Sequence, residues 1–544
     1  MLKAAAFGFA ATLILAGAAE GSVVISTAKT SNMNCSAGVC SPTAANAVLN
    51  RRDLGIMLRA SDVKVTTGAG ATAIGILSPL TWANAHRLTL DAQHSVSIRA
   101  AVIVKGPGGL TITLEDGASG AFNFYPGGSV TFWDTASSFV VNGNTYTLVN
   151  DIATLAADVA FNPSGFYALA NDYDAAGGGE RVSSTFDGAF EGLGHVVENL
   201  ALSGNGGLGG MFESIGSAGS VRDIGLTNGQ SACSGLLAYQ NAGRIENSFA
   251  TGTANCTVGG ITAGLVVDNI GTIDRTWAEV DITVPTGSFG AGLVGENEGT
   301  ISSSFASGAV SGDRNASVGG LVTSSSGVIE LCHATGNVSA PGIAAGGLVA
   351  VFTGASGVIR RSYATGSVSG AHYAGGLVGQ NGEIGFDNGS LIEQSFSTGA
   401  VSGTVSSGGL VGLSSRATAA NSYATGSVSG GSAASVGGLI GKVDSGTVAN
   451  SYSTGIVSGG KYTGGFSGAV VNQGKAPHDY WDLDTSGISD PTQGVGSKAN
   501  YPGVTGLSDA QMKAALPAGF SPSVWGLNPS INNGYPYLLA NPPQ

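Results

Sequence analysis

A motif that returns every 27 to 33 residues constrains this chain more than any other feature. It couples a Ser–aromatic–small–Thr–Gly step to a Gly-Gly-Leu-Val-Gly step. The first step reads Ser362-Tyr363-Ala364-Thr365-Gly366, Ser395-Phe396-Ser397-Thr398-Gly399 and Ser422-Tyr423-Ala424-Thr425-Gly426. The second reads Gly375-Gly376-Leu377-Val378-Gly379 and Gly408-Gly409-Leu410-Val411-Gly412. Between them most copies carry Val-Ser-Gly, as at Val368-Ser369-Gly370. A fixed period of this length requires stacked units, each too small to bury its own apolar face.

Each unit holds three β-prone runs, here 359–365, 367–369 and 376–378, and none has the i, i+3, i+4 apolar spacing of a helix. Glycines supply the corners between runs. The expected fold is all-β: a parallel β-solenoid of about 28 residues per coil with three short strands, some 15 to 17 turns in all, stacked at roughly 4.8 Å. Leu265, Leu293, Leu321, Leu348, Leu377, Leu410 and Leu439 form an apolar ladder in the core. The aromatic positions 249, 277, 305, 333, 363, 396, 423 and 452 form a second ladder. Its parity has two solutions. One buries Ile359 and Tyr363 with a local corner near Arg361, and the other buries the small pair Ser362 and Ala364. The larger apolar burial is the expectation.

With 10 % charged residues and a net charge of −13, the chain lacks the Lys/Arg clusters that nucleic-acid binding needs. Its 42 % hydrophobic content, in phase with the repeat, argues against disorder. Residues 1–21 read as an export signal, with Lys3, an apolar stretch over 4–15 and Ala16-Gly17-Ala18 for cleavage; the competing reading is a buried segment of a fragment. No later stretch suits a membrane span. Of five cysteines, Cys35 and Cys40, and Cys233 and Cys256, are spaced for disulfides, and Cys332 is left over; no C-x-x-C zinc spacing occurs.

Catalytic templates find no match: no zincin motif, no Gly-x-Ser-x-Gly elbow and no phosphate loop. No metal, cofactor or catalytic residue is expected. Glu296 and Glu298, with Asp268 and Glu330 one turn away, read as a solvated acidic edge, and Arg360 and Arg361 as ion-pair partners of Glu330 and Glu393. His333 substitutes for Phe or Tyr in the aromatic stack. The insertion around 385–389 reads as a surface loop, the usual place for binding on a solenoid. The cluster His478-Asp479-Tyr480-Trp481-Asp482-Leu483-Asp484-Thr485 suits calcium or a sugar in chemistry, but reads as an end cap. Ser508 to Gln511 forms a capping box opening a short helix to about Ala515.

These Gly-Gly-Leu-Val-Gly units closely resemble the GLUG motif of filamentous-haemagglutinin-like exoproteins and of some bacterial IgA-specific metallopeptidases. Residues 80–92, 108–112 and 128–149 resemble the strand spacer of haemagglutinin-type adhesins, and 167–174 with 186–195 resemble the segment that introduces a GLUG array. The resemblance implies a right-handed parallel β-helix exposed outside a Gram-negative cell. Two family features are missing, an Asn-Pro-Asn-Gly secretion motif and a His-Glu-x-x-His zinc helix, so export route and peptidase activity do not carry over. The organisation expected is a signal at 1–21, N-terminal coils at 22–150, a transition segment at 151–230, GLUG coils at 231–470 and a C-terminal cap at 471–544. The function expected is a secreted or cell-surface, non-catalytic adhesin. Its partners would be host, matrix or cell-surface glycans or proteins, with a possible outer-membrane export partner. A β-helix carbohydrate-active enzyme and a passive envelope scaffold are the alternatives.

Overall fold

A computed structural model describes residues 21–117, 120–202, 209–382 and 389–543. The leader proposed at 1–21 lies outside them apart from Gly21, as does the 385–389 loop apart from Gly389. The fold is nearly all β, 48 % strand and 6 % helix, in stacked parallel coils that make a β-solenoid of about 17 turns. The chain divides into two compact units: Met1–Ala176 with Phe186–Glu198 and Gly219–Gly225, and Gly177–Thr185 with Asn199–Ala218 and Leu226–Gln544.

In the first unit each coil carries three strands. Ala73–Ile76, Leu80–Trp82 and Arg87–Ala92 make one coil, and Ser95–Ile98, Ala101–Val104 and Gly109–Leu114 stack on it in parallel register. Strict alternation sends Val96, Ile98, Val102, Val104, Leu110 and Ile112 into a dry core, all at 0 % exposure. The first edge is closed by an antiparallel hairpin, Met33–Ser36 with Val39–Pro42, stapled by the Cys35–Cys40 disulfide. Helix α1, Arg51–Ala60, is capped by Asn50 and buries Leu54 and Leu58 beside it. Covering a solenoid end in this way removes unpaired strand edges. Helix α2, Ile152–Phe161, is capped by Asp151 and buries Ile152, Leu155 and Val159.

In the second unit the three β-prone runs of each repeat are divided by tight corners into five short strands. One coil reads Val358–Arg360, Tyr363–Ala364, Val368–Ser369, Tyr373–Gly375 and Val378–Asn381, each paired in parallel with its equivalent in the next coil. The leucine ladder from Leu265 to Leu439 is fully buried as expected.

The corner near Arg361 exists, and it changes what the parity argument had to decide. Arg361 takes φ +49°, and so do its equivalents in kind: Asn247, Arg275, Ser303, Leu331, Gln394, Asn421, Asn450 and His478 all have positive φ. Each corner resets the alternation, so Ile359 and then Ser362 and Ala364 all face inward at 0 % exposure. The aromatic ring between the last two is left on the outside. Phe249, Trp277, Phe305 and His333 are accordingly half-buried, while Ala250, Ala278, Ala306 and Ala334 are buried. The expected inward aromatic ladder is therefore an outward one. The interior there is too thin for rings. A Cβ built on Gly376 would lie 2.0 Å from the Gly409 carbonyl oxygen and 3.0 Å from the Ser397 Cβ.

A non-glycine residue in the left-handed region costs about 1–2 kcal/mol, and a hydroxyl ladder next to each corner offsets it. The Ser362 N–H donates to Ser395 Oγ at 3.2 Å, Ser395 N–H to Ser422 Oγ at 3.3 Å, and Ser422 N–H to Ser451 Oγ at 3.1 Å. Each hydroxyl then donates back across its own corner, as Ser362 Oγ does to the Arg360 carbonyl at 2.9 Å and Ser422 Oγ to Ala420 at 2.8 Å. Two hydrogen bonds per rung, each worth about 1 kcal/mol net, hold the corner. A second buried ladder runs through asparagines: Asn241 Nδ2 donates to Asn269 Oδ1 at 2.8 Å, Asn269 to Asn297 at 2.7 Å, and Asn297 to Ser325 Oγ at 3.0 Å.

Candidate interaction surfaces

The outward aromatic ladder is the most continuous lateral feature of the second unit. From Phe249 through Trp277, Phe305, His333, Tyr363, Phe396 and Tyr423 to Tyr452, successive ring centroids are 4.5 to 5.6 Å apart with interplanar angles of 1 to 7°. Ring faces therefore cover one another, and only edges point outward. Such a stack offers an apolar strip but no open ring face for a sugar. His333 sits within it, 4.8 Å from both Phe305 and Tyr363, and burial lowers its imidazole pKa to about 4. It stacks as a neutral ring at physiological pH, in keeping with a substitution for Phe or Tyr.

The far end of the ladder is already occupied. The C-terminal segment lays Met512, Phe520, Trp525, Tyr535 and Leu538 over Tyr363, Phe396, Tyr423, Tyr452 and Tyr480. Tyr452 Oη donates to the Pro536 carbonyl at 2.6 Å, Tyr480 Oη to Ala518 at 2.8 Å, and Asn541 Nδ2 to Gln394 at 3.1 Å. Helix α3, Asp509–Ala514, opens with the expected capping box from Ser508 and Gln511.

The polar cluster at 478–485 is part of this covering. Trp481, Asp479 and Asp482 are fully buried. Trp481 Nε1 donates to the Ile488 carbonyl at 3.2 Å. Asp482 Oδ1 accepts from the Asp484 and Thr485 N–H groups, and its Oδ2 accepts from Tyr535 Oη at 2.7 Å. Asp484 Oδ2 accepts the Asp509 N–H at 2.9 Å, tying the helix start to the last coil. These carboxylates are turned to backbone and tyrosine rather than converging on an ion. Asp479 takes the serine rung, accepting the Ser451 N–H at 2.9 Å, and burial pushes its carboxyl well above the usual carboxylate range.

The acidic edge forms only in part: Glu296 aligns with Asp268, but its partner in the next coil is Ser324, and Glu330 lies on another strand in register with Ser302 and Arg360. Asp268 and Glu296 are in register on adjacent coils, and Gln240 Nε2 donates to Asp268 Oδ2 at 2.9 Å. Glu296 is exposed. Partial desolvation, then the charges of Asp268 and Glu298, raise its pKa. Glu330 pairs with Arg360 at 2.7 Å and with Arg361 at 3.5 Å, a half-buried ion-pair group. Both suggested disulfides are closed, Cys35–Cys40 and Cys233–Cys256, and Cys332 is free and buried.

No protein-family model and no curated protein matches the chain. Among solved structures it is similar to one named IgA1 protease, at 18 % identity over 50 % of this chain and with a TM-score of 0.34. The chain spans only 21 % of that protein's length. It is also similar to an immunoglobulin A1 protease candidate from Bacteroides ovatus, at 15 % identity over 73 % of this chain and 93 % of that one, with a TM-score of 0.22.

Proposed function

We propose that this chain is an exported, non-catalytic exoprotein of the adhesin type, acting at the cell surface or after secretion by displaying repeated lateral surfaces. The observation that carries this reading is the outward aromatic ladder. Consecutive coils repeat one apolar position, and the C-terminal segment already lies on four of the rungs, so this face accepts a chain laid along it. Repetition supports avidity, since weak contacts at successive coils add through effective concentration rather than through a single deep pocket. The two closed disulfides support an oxidising compartment. The GLUG-like units point the same way by resemblance, toward cell-surface or matrix proteins and glycans as partners and toward an outer-membrane export partner.

One observation favours a second reading, a carbohydrate-active enzyme. Glu296, its pKa raised beside Asp268, has the form of an acid placed next to a carboxylate.

Purified protein titrated over intact cells, matrix proteins and glycans, with reducing-sugar release followed in the same wells, separates these readings. Saturable retention without product is the expected result. Product that disappears in Glu296→Gln would replace the display reading with the enzymatic one, and retention on no surface would leave a passive scaffold.

A further inference from the structure

The first unit carries aromatic rings of a different kind from those of the ladder. Trp133 is 63 % exposed, and the Lys105 ammonium lies 4.5 Å above its ring centroid. The Arg99 guanidinium lies 3.8 Å above the Tyr125 ring. Register makes these two pairs rims of one face. Ile76, Ile98 and Phe124 align on one side, so Arg99 and Tyr125 follow them at the same corner. Trp82, Val104 and Phe132 align on the other, so Lys105 and Trp133 share the second corner. Between the rims lies the three-stranded sheet of Leu80–Trp82, Ala101–Val104 and Ser129–Phe132, whose outward positions include Thr81, Ile103 and Thr131. The two cations, Arg99 and Lys105, are six residues apart along their coil, about 20 Å of extended strand.

Charge on this face runs against the rest of the molecule. Residues 21–133 hold eight Lys/Arg against five Asp/Glu, a net of +3, within a chain whose total is −13. No Asp or Glu occurs in 77–83, 99–105 or 125–133. The next residue, Asp134, accepts the Ala136 N–H. Arg99 and Lys105 take part in no ion pair among the described residues. A third cation borders the face at its first coil. Arg51 Nη1 donates to the Pro79 carbonyl at 3.0 Å, and its Nε is buried with no hydrogen-bond partner.

From this juxtaposition we infer that the Arg99–Tyr125 and Lys105–Trp133 rims form a binding site for a linear polysaccharide carrying carboxylates, a polyuronate. The exposed part of the Trp133 ring suits the apolar face of a pyranose, while the half-buried Tyr125 seats Arg99. A guanidinium and an ammonium held beside the rings suit carboxylates on the same sugars. The flat, uncharged sheet between the rims lets one chain run across both. Nucleic acid fits less well, because its affinity comes from many neutralised phosphates and this face offers only Arg99 and Lys105 on its rims with Arg51 at its border. The inference rests on the display reading only for its biological use, as the ligand class of one displayed surface.

The test is affinity of the full chain for polygalacturonate, with dextran and single-stranded poly(dT) as comparators, for the unaltered protein, Trp133→Ala, the Arg99→Gln/Lys105→Gln pair and Lys461→Gln. Lys461 lies over Tyr462 in the second unit and serves as the control. Polygalacturonate affinity should fall about tenfold in the first two variants, stay unchanged in the control, and weaken with salt, while thermal unfolding stays unaltered. The inference is overturned if polygalacturonate is not retained, if dextran or poly(dT) is held as tightly, or if the variants bind like the unaltered chain. Retention on cells or matrix proteins by a preparation that ignores polygalacturonate would remove this site and leave the display reading standing.

Discussion

Cys332 occupies the rung below Ser362: its N–H donates to Ser362 Oγ at 3.2 Å, and its own thiol turns back to the Glu330 carbonyl at 3.2 Å. The Ser304 N–H reaches the same sulfur. The odd cysteine is thus a sulfur member of the hydroxyl ladder, and burial pushes its thiol pKa up to about 12. Cys332→Ser should retain or raise stability. Cys332→Ala strands a buried N–H and should cost about 1–3 kcal/mol in urea unfolding. Thiol reagents should leave the native protein unlabelled and modify one site per chain once it is denatured with its disulfides intact.

Leu331 holds the same left-handed corner as Arg361, with φ +56°, and its side chain is 46 % exposed. Four of the other corners use asparagine or glutamine, and asparagine tolerates this conformation far better than leucine. Leu331→Asn should raise stability by about 0.5–1 kcal/mol, read as a higher urea midpoint at unchanged slope.

The glycine-rich step is set by backbone proximity at chosen positions, not by a general need for flexibility. Gly376→Ala drives its Cβ against the Gly409 carbonyl and should cost about 3 kcal/mol or more, the scale of severe overpacking. At Gly431 the nearest atom to an added Cβ is 3.5 Å away and φ is not left-handed. Gly431→Ala should be neutral or slightly stabilising. Equal losses at the two sites would contradict the close coil-to-coil approach.

Two buried titrations act in opposite directions. The His333 pKa falls from 6.5 to about 4 on folding, so the unfolded chain binds more protons between those values. Its contribution is complete above pH 6.5 and lost as pH falls toward 4, up to about 3 kcal/mol. Asp479 is raised on folding, so the folded chain binds more protons above the ordinary carboxylate range, and stability falls as pH rises. Melting temperature from pH 4 to 8 should show His333→Phe gaining most at pH 4. Asp479→Asn, which keeps the acceptor for the Ser451 N–H, should gain most at pH 8.

The period of the sequence carried the fold because each coil must reproduce its neighbour's pairing, so Leu377 and Leu410 announce their shared core position by spacing alone. What it did not carry was side. An alternation argument assumes a straight run from Ile359 to Ala364, and one left-handed residue at Arg361 resets it. Nothing in an arginine's identity marks such a corner, although the asparagines at 421 and 450 hint at it. The asparagine ladder was visible as Asn241, Asn269 and Asn297 recurring at a spacing of 28 residues, but a buried amide row is stable only where equivalents stack, a property of register. Helices α1 and α2 carry readable signals outside the repeat, Asn50 and Asp151 as caps with Leu54/Leu58 and Leu155/Val159 behind them. The face between Arg99 and Lys105 was illegible because its two rims meet only through coil-to-coil register.

Lateral display depends on the aromatic ladder facing outward, and one paired unfolding measurement decides that: urea midpoints of Phe305→Ser and Ala306→Leu. With the rings outside and the alanines in a thin interior, Phe305→Ser should lose about 1–2 kcal/mol of stacking and partial burial. Ala306→Leu, whose Cβ already sits 2.8 Å from where a Gly292 Cβ would be, should lose about 3 kcal/mol or fail to fold. A large loss at Phe305 with a tolerated Ala306→Leu would place the rings inside and remove the displayed strip.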